Sequence, residues 1–233
     1  MRTLGVIGGM SWESSAVYYR LLNQGVARRL GGLHSAALLL HSVDFAEVAA
    51  LQTAADWPGA ARLLARAGLG LRQAGAQALV LATNTMHKVA DQIEQGASLP
   101  LLHIADATGR ALQAAGVSHA ALLGTRFTME DGSIVRDRLQ QRFGLTVSVP
   151  EADDRALMHR VIYEELVRGQ VLAPSRDAVV GLIERQRLSG AQAVILGCTE
   201  IGLLIDAGCS TLPVFDTTVL HAAAAVDWML EAA

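Results

Sequence analysis

The sequence predicts an α/β protein built from two similar halves, each with a parallel sheet covered by helices on both faces. Three observations carry this. Short apolar runs rich in Val, Leu and Ile alternate with longer stretches of helical period, the pattern of parallel strands joined by crossover helices. The stretch "GAQALVLATNT" at residues 75–85 returns 115 residues later as "GAQAVILGCTE" at 190–200. Two further blocks repeat in the same order: "TLGVIGG" (3–9) meets "SHAALLG" (118–124) at the same offset, setting Gly9 on Gly124, and "SLPLLHI" (98–104) meets "TLPVFDT" (211–217) at an offset of 113. Three blocks in one order point to a duplication about a pseudo-twofold axis, with halves of about 110 residues.

Taken in order, "TLGVIG" (3–8) reads as the first strand, and "GGMSWESS" after it as a glycine-rich loop opening a helix over "SAVYYRLLNQGVARRL" (15–30). An anion could rest on the N–H groups of such a loop, although "SWES" reads equally well as a helix cap. Glycines at 5, 8 and 9 do not make the dinucleotide fingerprint G-x-G-x-x-G. "ALLLHSV" (37–43) is the second strand; Asp44 and Gln52 follow it as cleft candidates. "GAARLLARAGLGLRQAG" (59–75) repeats its apolar residues every three or four positions and reads as a helix, leading to the strand "ALVLAT" (78–83), the helical "MHKVADQIEQG" (86–96) and the strand "PLLHI" (100–104). The second half gives strands at "HAALLG" (119–124) and "LTVSVP" (145–150), a helix at "SRDAVVGLIERQRLSG" (175–190), the strand "AVILG" (193–197), a helical reading for "IGLLIDAG" (201–208) and the strand "LPVFD" (212–216). The last strand lies so near the C terminus that "TTVLHAAAAVDWMLEAA" is free to cross back and complete the first half. The expected domains are therefore 1–98 with 210–233, discontinuous, and 99–209, with the active site in the cleft between them.

Bulk composition narrows the function. Hydrophobic residues make up 52% of the 233-residue chain and charged residues 18%, enough apolar surface for a buried core. A net charge of -3 with scattered arginines gives no basic field, so nucleic acid is not an expected partner. No apolar run approaches the length of a membrane span, and Trp12 and Glu13 interrupt the start where a signal peptide would still be apolar. A soluble, cytoplasmic protein is expected, with Cys198 and Cys209 both reduced and no metal-ligand spacing.

In open parallel sheets ligands bind beyond the carboxyl ends of strands. "VLATNT" and "ILGCTE" both end at such an edge, so Thr83 and Cys198 would approach one cleft from opposite walls. A cysteine at a helix start has its thiolate favoured by the positive end of the helix, and a lowering of about one or two units from about 8.5 would leave much of it ionised at neutral pH. Cysteine is also among the most buried and inert residue types, but the position before polar Thr199 and Glu200 favours the reactive reading. Cys209, in "DAGCST", reads as structural. Thr83, Asn84 and Thr85 form a cradle of carboxylate size, one of them serving as a helix cap. His34, His41 and His103 read as structural histidines.

The combination of "GVIGGMSWESS", "ATNT" at 82–85, "GCTE" at 197–200 and the duplication resembles the aspartate/glutamate racemase family, nearly end to end. The resemblance implies two flavodoxin-like domains, a homodimer, no pyridoxal phosphate or other cofactor, and a two-base reaction in which one cysteine removes the α-proton and another returns a proton on the opposite face. This chain departs from that pattern at Thr83, which stands where the first-half cysteine belongs. A Thr hydroxyl is far too weak an acid to serve as an equivalent base. The resemblance therefore implies a lopsided racemase, of the subgroup acting on L-aspartate or L-glutamate, with Cys198 and Thr83 catalytic and Met10, Ser11, Gln52, Asn84, Thr85 and Thr199 contacting the substrate. Where some aspartate racemases carry a basic residue in the helix reading "IYEELVRGQ", Val167 stands here with Arg168 beside it, so that device for the side-chain carboxylate is not carried over. Other carbanion enzymes on the same scaffold (maleate isomerase, decarboxylase, hydantoin racemase) and a catalytically silent binder of acidic ligands are the alternatives.

Overall fold

A computed structural model describes residues 1–130 and 133–231 and divides the chain into two compact units, Met1–His103 with the segment from His221, and Ile104–Leu220. The first unit runs β1 (Leu4–Gly8), α1 (Trp12–Leu30), β2 (Leu38–Ser42), α2 (Phe45–Thr53), α3 (Trp57–Gln73), β3 (Ala78–Leu81), a 3-10 turn (Thr85–Val89) and α4 (Ala90–Ala97). The second runs α5 (Ile104–Ala114), β4 (His119–Leu123), α6 (Arg126–Met129), α7 (Ile134–Phe143), β5 (Thr146–Ser148), α8 (Ala152–Arg160), a π-helical turn (Val161–Glu165), a 3-10 turn (Leu166–Arg168), α9 (Ala173–Leu188), β6 (Ala193–Leu196), a 3-10 turn (Thr199–Leu203) and β7 (Val214–Asp216). Helix α10 (Thr217–Leu230) starts in the second unit and continues into the first from His221.

Both sheets are parallel, in the orders β2-β1-β3 and β5-β4-β6-β7. A single parallel bridge, Leu79 to Leu101, stands in the first sheet where β7 stands in the second. "PLLHI", expected as a strand, pairs through that bridge. With that bridge counted, each unit has the same strand order of the flavodoxin-like kind.

The strands are apolar on both faces because both faces are covered. In the first unit Ile7, Leu79 and Leu81 pack under α3 and α4, with Leu64, Ala67, Leu71 and Ile93. Leu4, Val6, Ala78 and Val80 face the other way, against Tyr18, Leu22 and Val26 of α1 and Ala222, Ala225, Val226 and Met229 of α10. Helices α1 and α10 approach closely because position 25 is glycine: a Cβ there would lie 2.7 Å from Val226 Cγ2. In the second unit Ala121, Leu123, Val194 and Leu196 pack with Val179, Leu182 and Ile183 of α9, while Ala120, Leu122, Ala193 and Ile195 pack with Ile104, Leu112 and Leu139.

The duplication extends to single hydrogen bonds. Gln77 Oε1 accepts from the Thr3 N–H at 2.9 Å, and its repeat Gln192 Oε1 accepts from the Ser118 N–H at 2.8 Å. The alignment of Gly9 with Gly124, however, is off by one. Leu4 pairs with Ala78 in the first sheet, whereas Ala120, not His119, pairs with Ala193 in the second. Leu4 and Val6 therefore correspond to Ala120 and Leu122, and Gly124 to Gly8. A slip of one residue reverses the face of every side chain in a strand, so packing decides this register.

"IGLLIDAG" does not form the expected helix. Ile201, Leu204 and Ile205 are buried in the core, and Asp206 then folds back, its Oδ1 accepting from Gly208 N–H at 2.8 Å and Cys209 N–H at 3.2 Å. This side-chain turn competes with helix hydrogen bonding and stops the chain after one 3-10 turn. Among the described residues no helix is long and apolar enough to cross a membrane.

Candidate active site

Each unit carries expected site residues at the carboxyl edge of its sheet. In the first, Met10 and Ser11 follow β1 and Thr83, Asn84 and Thr85 follow its neighbour β3. Met10, Ser11 and Asn84 are buried and Thr83 and Thr85 half-buried. Gln52 is buried near the end of α2, after β2. Asp44 caps α2, its Oδ1 accepting from Ala46 N–H at 3.0 Å.

Within the glycine-rich loop two N–H groups are taken up by serine side chains. Ser11 caps α1, accepting from Ser14 N–H at 3.3 Å, while Ser15 Oγ accepts from Gly9 N–H at 2.8 Å and donates to Ser11 O at 3.0 Å. Gly9 has φ +92, and a Cβ would collide with the Val43 carbonyl oxygen and lie 2.6 Å from Val43 N, so only glycine fits.

Beneath Thr83 lies a buried group of histidines. His87 Nδ1–H donates to the Thr83 carbonyl at 2.8 Å, and its ring lies 4.6 Å from that of His103 and 5.6 Å from that of His221. His221 Nε2–H donates to Leu102 O at 2.7 Å, which leaves Nδ1 to accept from the Tyr18 hydroxyl at 2.8 Å. Burial holds His87 well below the usual histidine range and brings His221 down to about 4. Both rings are neutral near pH 7 and act as struts. His103 is buried beside the His87 ring; His34 lies in a loop and His41 on the exposed side of β2.

In the second unit Cys198 follows β6 and is half-buried. Its Sγ donates to Glu200 Oε2 at 3.0 Å, and the Thr199 hydroxyl donates to the same oxygen at 2.6 Å. Here the expected ease of ionisation is overturned. Burial first, and the Glu200 carboxylate second, push the Cys198 thiol well above its ordinary value. The five-residue 3-10 turn behind it is too short to act as a helix whose positive end opposes that effect. The resting residue is a protonated thiol. Glu200, buried and holding both neighbours, is named by the sequence only as a polar neighbour of Cys198 and not as a site residue. Asp216, at the end of the adjoining strand β7, caps α10 through Thr218 N–H at 2.8 Å, and burial raises its carboxyl. Cys209 sits in the Asp206 turn, accepting from Asp206 N–H at 3.4 Å.

A further group stands at the same edge. Arg126 begins α6 just after β4, its guanidinium carbon 4.8 Å from the centre of the Phe127 ring. The Arg126 N–H donates to His159 Nδ1 at 3.5 Å, and the His159 ring lies 4.5 Å from that of Tyr163. Val167 and Arg168 lie in the 3-10 turn Leu166–Arg168, Arg168 exposed. Among the described residues no group of three His, Cys, Asp or Glu is arranged to hold a metal ion.

The family model for Asp/Glu/hydantoin racemase matches residues 7–225. The crystal structure of a candidate Asp/Glu racemase from Yersinia pestis is 51% identical, with 99% of this chain and 100% of that chain covered and a TM-score of 0.93. An aspartate racemase homologue from Pyrococcus horikoshii OT3 is 30% identical over 99% of this chain and 100% of that one, with a TM-score of 0.85. An aspartate racemase from Picrophilus torridus, at 20% identity, 98% and 94% coverage and a TM-score of 0.76, shares the fold.

Proposed function

The chain belongs to the Asp/Glu/hydantoin racemase family and is an isomerase of the racemase class, and on that premise we propose that it acts on L-aspartate or L-glutamate without pyridoxal phosphate. Cys198 removes the α-proton and a proton is returned from the Thr83 side. The observation that carries this reading is the placement of the two residues: Cys198 and Thr83 each stand two positions past the end of the equivalent strand, β6 and β3, at the repeat offset of 115.

The chemistry is unequal. Once the Cys198 thiol has lost its proton, the thiolate is a strong base, because the same burial and the same carboxylate that resist its formation favour its reprotonation. It takes the α-proton and becomes a thiol; the carbanion is protonated on the other face from the Thr83 hydroxyl or a water held by it, which solvent restores. Thr83 cannot start the opposite reaction with comparable ease, so the enantiomer presenting its α-proton to Cys198 turns over faster. Asn84, Thr85 and Thr199 would hold the α-carboxylate and its partners, with Met10, Ser11 and Gln52 completing the walls. We place the protein in the cytoplasm as a homodimer; Trp12 and Tyr19, 68% and 56% exposed seven residues apart on α1, are apolar surface that a second copy would cover.

Exchange of the α-proton in heavy water tests the reading. Wild-type protein should exchange L-aspartate or L-glutamate faster than the D-forms, and Cys198→Ala should not exchange them. Equal initial rates for D and L, or full activity in the alanine variant, would overturn it.

A further inference from the structure

An acidic amino acid has a second carboxylate, and none of the residues so far assigned to the substrate carries a positive charge. We propose that Arg126, shelved on Phe127 and flanked by His159 and Tyr163, binds the substrate's side-chain carboxylate and so sets the preference for acidic amino acids. This rests on the racemase reading and deepens it.

The placement follows from the sheet. Strands β4 and β6 are paired neighbours, Leu123 with Leu196, and the Gly197 N–H donates to Leu123 O at 2.6 Å. Arg126 lies three residues beyond the end of β4 and Cys198 two beyond the end of β6, so the cation and the thiol leave adjacent strands at one edge. Arg126 is exposed, and among the described residues its guanidinium makes no ion pair. The aromatic face of Phe127 at 4.8 Å supports the flat guanidinium without occupying its N–H donors. That leaves a planar fork, the geometry that recognises a carboxylate through two parallel hydrogen bonds.

The neighbours suit the role. Tyr163, 37% exposed, lies on the π-helical turn with its ring against His159. Burial raises its phenol, with Cys198 acting in the same direction once it is a thiolate and Arg126 opposing, which places Tyr163 within electrostatic reach of both. It keeps its proton near neutral pH and can donate a hydrogen bond to an anion. His159 is lowered by burial and by the Arg126 cation, so it is neutral and braces the arginine backbone rather than competing for the carboxylate. Arg168 is exposed on a 3-10 turn that follows this group, and Val167 beside it has no charge, so the cation comes here from the β4 edge.

The test compares wild-type, Arg126→Gln and Arg126→Lys proteins by α-proton exchange and by calorimetric binding of L-aspartate, L-glutamate and L-alanine. Arg126→Gln should raise KM and Kd for the acidic substrates by about tenfold or more, with a smaller fall in kcat and little change for alanine, and Arg126→Lys should recover part of the loss. Unchanged KM for the acids, or an equal loss for alanine, would overturn the assignment while leaving the racemase reading in place. Wild-type protein that neither exchanges nor binds either acid would overturn both. Circular dichroism melting of each variant separates loss of fold from loss of recognition.

Discussion

Replacing Glu200 by glutamine removes the carboxylate that lies against the Cys198 sulfur and should lower the thiol pKa. Sγ and Oε2 are 3.0 Å apart, so placing a second negative charge on the sulfur costs about 1.4 kcal/mol in a water-like dielectric of about 80 and about 5.5 kcal/mol at an effective dielectric of about 20. At about 1.4 kcal/mol per unit, the substitution should lower the thiol pKa by about one unit at least and about four at most. The half-buried sulfur argues for the middle of that range. Glutamine keeps the size of the side chain, and its amide can donate to a thiolate, which acts in the same direction. The assay is the pH dependence of alkylation at Cys198 by iodoacetamide, followed by mass spectrometry in a Cys209→Ser background so that one thiol reports. The midpoint should shift to lower pH in Glu200→Gln, and the acid limb of the rate of L-substrate exchange should move with it. An unchanged or raised midpoint would refute the claim that this carboxylate holds the resting thiol protonated.

Other expectations follow from the same geometry. Thr83→Cys should raise the initial rate on the D-enantiomer by about tenfold or more, measured by circular dichroism, because a thiol restores an ionisable group at the duplicated position. Stability should fall in acid through the buried histidines: His221 at about 4, against 6.5 when exposed, is neutral in the fold and protonates more readily unfolded, so its contribution is complete above about pH 6.5 and gone below about pH 4. Urea unfolding should show a loss of about 2 kcal/mol between pH 7 and pH 5 from this residue, with His87 adding to it, and His221→Asn should flatten that slope. Gly9→Ala should cost more than about 2 kcal/mol, read as a lower urea midpoint, because φ +92 and the Val43 backbone both exclude a Cβ.

The parts of this fold that were legible in the sequence are those where one local signal suffices. Buried parallel strands such as "LGVIG" and "ALVL" are apolar throughout, and the repeat of Gln77 as Gln192 marked equivalent places in the two sheets. What was not legible depends on partners distant in the chain. The one-residue slip between Gly9 and Gly124 is decided by which face of β4 meets α5 and α7, and "HAALL" satisfies either register by composition alone. "IGLLIDAG" carries enough apolar residues for a helix, and only the Asp206 side chain ends it. The candidate site residues stand out as a motif, but the state of Cys198 does not, since it depends on where the Glu200 carboxylate turns. Arg126 escaped notice because nothing local distinguishes an arginine after "LLGT" from any surface arginine; the aromatic shelf includes residues more than thirty positions further along.

Helix α10 covers Leu4 and Val6, the first apolar residues of β1, with Ala222, Val226 and Met229 from the far end of the sequence. During synthesis that cover emerges from the ribosome after every strand of both sheets. The unit Ile104–Leu220 has its whole core translated while the N-terminal sheet still lacks the α10 part of one wall. Until Met229 arrives, the nascent first unit has only Tyr18, Leu22 and Val26 of α1 over that face. A chain stalled or cut ahead of His221 would leave a finished second unit tethered to an unfinished first.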